Sequence, residues 1–216
     1  MKVLILSITA GQGHHSAAKS ISDALEERGA SVKTVDVYSR ISKTLCDAVN
    51  RGYLFSTKHT PTMYRAVYEF IDSKKLPSTK YALQNVMGIL LGIRFEHFIY
   101  DYAPDAIICT HIFAAQVVNE LKRRGRLLDI PTLGIVTDYT VHPFWEDVTY
   151  IEYINLASEL LTRRAHIKSI ESARLCTFGI PVQQKFSTKR PKAEARKELD
   201  IPQDSKTILV MAHVCH

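Results

Sequence analysis

An α/β fold on a parallel sheet is what this sequence predicts, and three observations predict it. Short apolar runs of strand length alternate with amphipathic stretches of helix length. The first two runs are joined by a glycine turn and a helix, which is a βαβ unit with a right-handed crossover. No internal repeat at solenoid periods competes with that reading.

Taken in order, Val3 to Ile8 is a first buried strand. Ala10-Gly11-Gln12-Gly13 is a flexible turn, and Ser16 to Arg28 places Ala17, Ile21, Ala24 and Leu25 on one helical face. Gly29 closes that helix, and Val32 to Val37 is the second strand. From Ser39 to Tyr102 the pattern is helical and aromatic-rich, with breaks at Thr60-Pro61 and Leu76-Pro77. Asp105 to Thr110 is a third strand, Ile112 to Arg124 a helix and Pro131 to Val136 a fourth strand, with another strand and helix between Thr149 and Arg164. The polar stretch from Gln183 to Lys206, with Pro191 and Pro202, reads as a linker holding one short helix near Ala193 to Leu199. Thr207 to Met211 then restarts a buried strand, which needs neighbours on its edges and covering helices.

Composition narrows the class. At 216 residues, 46% hydrophobic and 23% charged, the chain holds one complete domain plus a piece of another, and disorder is excluded for most of it. Lys plus Arg 28 against Asp plus Glu 22 leaves +6, which favours anionic partners. Cys46, Cys109, Cys176 and Cys215 form no C-x-x-C pair, so neither a disulfide framework nor a thiolate zinc site is expected, and a reducing cytoplasm is the expected setting. The apolar run after Lys2 is about half a signal-peptide core, and no stretch approaches the roughly 18 residues of a membrane span. Any membrane contact is expected to be peripheral.

The loop Gly11-Gln12-Gly13-His14 lies between a strand and a helix, where backbone N–H groups and the helix dipole favour an anion. The dinucleotide fingerprint fails because Ser16 stands at its third glycine, and no Gly-Lys-Ser/Thr follows to make a P-loop. A histidine at a helix N-terminus is disfavoured as a cation, so His14 is read as a neutral imidazole able to accept a proton or donate one hydrogen bond; the bland alternative is a residue that merely caps its helix.

Four segments in register carry a resemblance: Thr9-Ala10-Gly11-Gln12-Gly13-His14-His15-Ser16-Ala17-Ala18, Pro104 to Thr110, Val136-Thr137-Asp138-Tyr139-Thr140-Val141-His142-Pro143-Phe144-Trp145, and Gly179 to Phe186. Together they resemble the N-terminal half of the processive diacylglycerol glucosyltransferases and plant monogalactosyldiacylglycerol synthases, from about residue 3 to about 211. The resemblance implies one half of a GT-B glycosyltransferase: a Rossmann-like parallel sheet with flanking helices that binds the lipid acceptor. A second such domain would bind the UDP-sugar. Residues 1–182 would be the acceptor domain, 183–206 the linker and 207–216 the first strand of a donor domain. The implied reaction moves a hexosyl group from a UDP-sugar to diacylglycerol with inversion, with no metal and no further cofactor. His14, Asp138 and His142 carry the implied catalytic roles, Asp138 beside an imidazole orienting it. Gly11, Gln12, Gly13, His15, Thr137 and Trp145 would line the substrates. The alternatives are a turn-capping Asp138 and a simply buried Trp145.

Between Arg40 and Lys80 eight cations face only Asp47, Glu69 and Asp72, with aromatic residues interleaved. Arg51, Tyr53, Phe55, Lys58 and Arg65 are the expected membrane-facing residues, since rings seat at a lipid interface while cations meet anionic headgroups. The alternative is an amphipathic helix pair whose aromatic stripe is core. No recognised nucleic-acid module is visible, so nucleic acid is not an expected partner. After Met211 the family pattern calls for a glycine-rich loop, but Ala212-His213-Val214-Cys215-His216 contains no glycine. A frameshift or early stop, leaving a chain inactive on its own, is the expectation. Two other classes stay open: a lipid-linked muramyl-peptide N-acetylglucosaminyltransferase type of enzyme, and a non-catalytic module that binds anionic membrane or lipid.

Overall fold

The computed structural model describes residues 1–8, 12–41, 95–167 and 170–210. Six strands form one sheet in the order β2-β1-β3-β4-β5-β6, and every pairing is parallel. They are β1 (Lys2–Ser7), β2 (Ser31–Asp36), β3 (Ala106–Cys109), β4 (Thr132–Ile135), β5 (Tyr153–Asn155) and β6 (Leu175–Cys176). The α-helices among the described residues are α1 (Gln12–Glu26), α2 (Val37–Ile41), α3 (described over 95–102), α4 (Ile112–Arg123), α5 (Thr162–Ile167) and α6 (Lys192–Glu198).

β1 explains why the sheet is covered on both faces. Five of its six residues are buried, and the side chains alternate between two cores. Val3 and Ile5 pack with Ala18, Ile21 and Leu25 of α1, while Leu4 and Leu6 pack with Phe95 and Ile99 of α3 and with Ala114, Val118 and Leu121 of α4. Each such aliphatic side chain contributes roughly 2 kcal/mol by leaving water. A run buried on both faces reads as continuously apolar, which is what Val3 to Ile8 showed.

α1 begins at Gln12, four residues before the expected start, so His14 and His15 belong to its first turn. The apolar periodicity starts only at Ala17, which is why the pattern placed the start too late. At the other end Ala30 N–H donates to Leu25 O and Gly29 N–H to Glu26 O, a Schellman closure that requires the left-handed φ of +79° at Gly29. α4 closes the same way through Gly125, φ +77°.

Two elements differ from expectation. β6 is a two-residue strand, too short to leave a pattern. The strand expected at Thr207 to Met211 forms no ladder over 207–210, and Ile208, Leu209 and Val210 are 78–88% exposed. An apolar run becomes a strand only beside another strand, and none of the six described strands pairs with it. The aromatic-rich stretch is helical where it is described, in α2 and α3; its residues 42–94 lie outside the described residues.

β2 leaves β1 on one side and β3 pairs with it on the other, so the strand order reverses between β1 and β3. In open α/β sheets the crevice outside the carboxyl ends of the strands at such a reversal is where ligands bind.

Candidate functional site

The residues that follow β1, β3 and β4 meet at this reversal. His14, in the first turn of α1, brings its Nδ1 to 2.9 Å from the carbonyl of Thr110 at the end of β3. A carbonyl oxygen can only accept, so Nδ1 carries the proton and donates. Thr137 Oγ1, just past β4, lies 2.8 Å from the same nitrogen and accepts from it as well. With Nδ1 protonated in the neutral ring, Nε2 is left with its lone pair. Thr110 is itself held: its hydroxyl donates to Ser7 Oγ at 2.9 Å, tying the end of β3 to the end of β1 inside the core.

Two more imidazoles adjoin. His111 is the N-cap of α4, its backbone extended at φ −139° and ψ 145°, and its Nδ1 accepts the Phe113 N–H at 3.1 Å. Its ring stands edge-on to His14, with centroids 4.5 Å apart and planes at 87°. Burial first, then the neighbouring His14 and His142 rings, pushes His111 down to about 3, so it is neutral throughout the physiological range. His142 caps the 3-10 turn Pro143–Asp147, and its Nδ1 accepts the Phe144 N–H at 3.2 Å. Among the described residues no group of three or more His, Cys, Asp or Glu is arranged to hold a metal ion.

Of the residues singled out in the sequence, His14, Thr137 and His142 come together. Thr137 anchors the His14 ring. Gln12, Gly13 and His15 are exposed on the first turn of α1, and a Cβ at Gly13 would meet no described residue within 4 Å, so packing among the described residues does not demand glycine there. Gly11 and the membrane-facing set Arg51, Tyr53, Phe55, Lys58 and Arg65 lie outside the described residues. Asp138 is exposed and makes no hydrogen bond to a described residue; the His142 Nδ1 accepts the backbone N–H of Phe144. Trp145, expected at a cleft wall, is 3% exposed and sets Cζ3 and Cη2 against Gly134 of β4, within the core.

His111 was missed, as were Ser7 and Thr110 in their supporting roles. A signal existed for His111: it directly follows an apolar strand and opens a helix, at the sheet end where α/β proteins place their sites.

The family model for monogalactosyldiacylglycerol (MGDG) synthase matches residues 14–182. The chain belongs to the monogalactosyldiacylglycerol synthase family. Among curated relatives, the chloroplastic monogalactosyldiacylglycerol synthase of Spinacia oleracea is 27% identical over 97% of this chain and 40% of its own length. The processive diacylglycerol beta-glucosyltransferase of Bacillus subtilis (strain 168) is 28% identical over 98% of this chain and 53% of its own. The chain thus spans about half the length of the family relatives it matches. Among solved structures, the lipopolysaccharide outer core galactosyltransferase WaaB superposes with a TM-score of 0.44 at 12% identity, over 83% of this chain and 45% of that one. The family match begins at His14 and runs through both Thr137 and His142, so the clustered imidazoles and their threonine anchor lie inside it.

Proposed function

We propose that this chain is the acceptor-binding half of a GT-B glycosyltransferase that moves a hexosyl group from a UDP-sugar to the free hydroxyl of diacylglycerol, inverting the anomeric carbon. One observation carries the reading: at the β1/β3 reversal, His14 has its Nδ1–H committed to Thr110 O and Thr137 Oγ1, which leaves Nε2 as an acceptor. A base in that state takes the proton of the attacking hydroxyl. As the lipid oxygen bonds to the anomeric carbon, the bond from that carbon to the UDP oxygen breaks, UDP leaves with the electron pair and the hydroxyl proton passes to Nε2. The N-terminal turn of α1, with Gln12, Gly13 and His15 exposed and no described residue within 4 Å of a Cβ at Gly13, suits the diphosphate that develops charge in that step. The names of the plant and bacterial relatives, which specify diacylglycerol, support the acceptor.

The domain division belongs to the same proposal: 1–182 binds acceptor, 183–206 links, and 207–216 opens the donor half. So does peripheral attachment to an anionic membrane. No described helix is long and apolar enough to cross a membrane. At the β2 edge a cleft of about 320 Å³ is lined by Lys33, Arg40, Phe98 and Tyr102 among others. Lys33 Nζ lies 5.1 Å from the Phe98 ring centre and 5.4 Å from that of Tyr102, and the Arg40 guanidinium 4.6 Å from Phe98. Cations over rings beside an open cleft are what an interface with anionic headgroups uses.

The test is to float purified 1–216 with vesicles of phosphatidylglycerol with and without diacylglycerol, and to incubate it with UDP-glucose or UDP-galactose and diacylglycerol. Retention that rises with diacylglycerol, without glycolipid, is expected. Glycolipid made by 1–216 alone refutes the half-enzyme reading, and indifference to diacylglycerol refutes the acceptor.

A further inference from the structure

Among the described residues, His14 is hydrogen-bonded at one end of its ring only. Thr110 O and Thr137 Oγ1 both take the Nδ1–H, and neither contact fixes the rest of the ring. The χ2 torsion of a histidine is soft and broadly distributed, so a single anchored nitrogen leaves the ring plane free to swing. Among the described rings the one it meets is His111, edge-on at 4.5 Å. That partner is itself rigid, because its Nδ1 holds the Phe113 N–H at the start of α4, a helix of twelve residues.

We propose that His111 is a positioning residue for His14: its ring, locked by its own helix cap, holds the His14 imidazole in the plane that keeps Nδ1–H on Thr110 and presents Nε2 outward. This inference rests on the reading of His14 as the base. Among the described residues the titratable groups facing His111 are His14 from α1 and His142 from the segment before the 3-10 turn, and both disfavour charge on it, as does burial. His111 therefore stays neutral while His14 gains and loses a proton beside it, and no second cation opposes the transfer. Its capped Nδ1 also sets its own tautomer, with the proton on Nε2.

The experiment is long-range ¹H–¹⁵N spectroscopy of the imidazoles in the 216-residue chain, which reports which ring nitrogen bears the proton and needs no turnover. The wild type is expected to show His14 protonated at Nδ1, and His111 and His142 at Nε2. In His111→Asn the cap survives but the ring is gone. The population of His14 protonated at Nε2 should rise about threefold or more, the scale of one lost edge-to-face contact. In His111→Phe the ring survives and the cap is gone, so His14 keeps its wild-type pattern while the Phe113 amide exchanges faster. An unchanged His14 in the Asn variant makes His111 a cap and nothing more, and overturns the inference alone. Equal disturbance of His14 by both variants assigns the effect to the cap and overturns it too. A wild-type His14 protonated at Nε2 sinks the base reading itself, and this inference with it.

Discussion

Replacing Gly134 by alanine tests how β4 is seated, and its cost can be worked out from two distances. A Cβ at Gly134 would stand 2.5 Å from Cζ3 and 2.8 Å from Cη2 of Trp145, against ordinary contact at about 3.4–4 Å, so the ring must retreat by about 1 Å. Trp145 is 3% exposed, a rigid bicycle packed with Val136, Val141 and Val148 in the main core, and has no free end to swing aside. Overpacking of this kind costs about 1–3 kcal/mol. The Gly134 backbone is not in the left-handed region, so alanine is tolerated there and returns about 0.5–1 kcal/mol of chain entropy. The net loss should be about 1–2 kcal/mol, or about 2–8 °C in Tm for a chain of this size. Thermal unfolding followed by far-ultraviolet circular dichroism measures it. The atoms that clash belong to the benzo ring of the indole, which phenylalanine lacks. In the Trp145→Phe background Gly134→Ala should therefore cost nothing and keep only the entropy gain, a coupling equal to the overpacking term of about 1–3 kcal/mol. A loss under about 0.5 kcal/mol in the wild type, or the same loss in both backgrounds, would show that the contact with Trp145 does not govern this position.

Three further outcomes can be checked in the same chain. The depressed titration of His111 means the unfolded chain takes up its proton near pH 6.5 while the folded one waits until about 3. Stability from this group is therefore complete above about pH 6.5 and drains as pH falls toward 3, by up to about 1.4 kcal/mol per unit, and His111→Asn should flatten that part of the denaturation profile. Asn155, buried at the end of β5, accepts the Phe178 N–H at 2.9 Å and donates to Gly179 O at 2.8 Å; Asn155→Leu strands both and should lower stability by about 2–4 kcal/mol in urea. Glu152 pairs with the buried Lys122 ammonium and accepts the Thr132 N–H at 2.8 Å, so Glu152→Ala should cost about 3 kcal/mol and Lys122→Met clearly less, whereas equal losses would argue against an uncompensated buried charge.

What the sequence disclosed was whatever a local pattern can carry. The doubly covered β1 announced itself through the four consecutive apolar residues Val3 to Leu6, and Gly29 marked the end of α1 because the closing turn needs a left-handed residue. His14 stood out through the glycines before it. The rest depended on partners far along the chain. Nothing local says that His111 meets a ring almost a hundred residues earlier, or that the lone tryptophan covers a glycine of β4. The T-D-x-x-x-H spacing suggested an Asp–His pair, but the residue before a proline is driven to extended backbone. At φ −62° and ψ 139°, His142 turns its Nδ1 to the Phe144 N–H instead. Thr207 to Val210 has the composition of a strand, and composition does not supply a neighbour.

The sheet order also sets a timetable. β1 is made first yet lies inside the sheet: β2 reaches it within about one helix of chain, but 103 residues separate Ser7 from Thr110, the other half of the tie between β1 and β3. At roughly 5–20 residues per second, the free edge of β1 waits about 5–20 s on the ribosome before β3 exists to cover it. The second anchor of His14 comes later still, since Thr137 lies 123 residues beyond it. A nascent chain arrested before residue 106, where β3 begins, would present the apolar edge of β1 and an imidazole with neither of its two anchors. Proteolytic protection around His14 should therefore appear late in synthesis, as a marker that β1, β3 and β4 have come together.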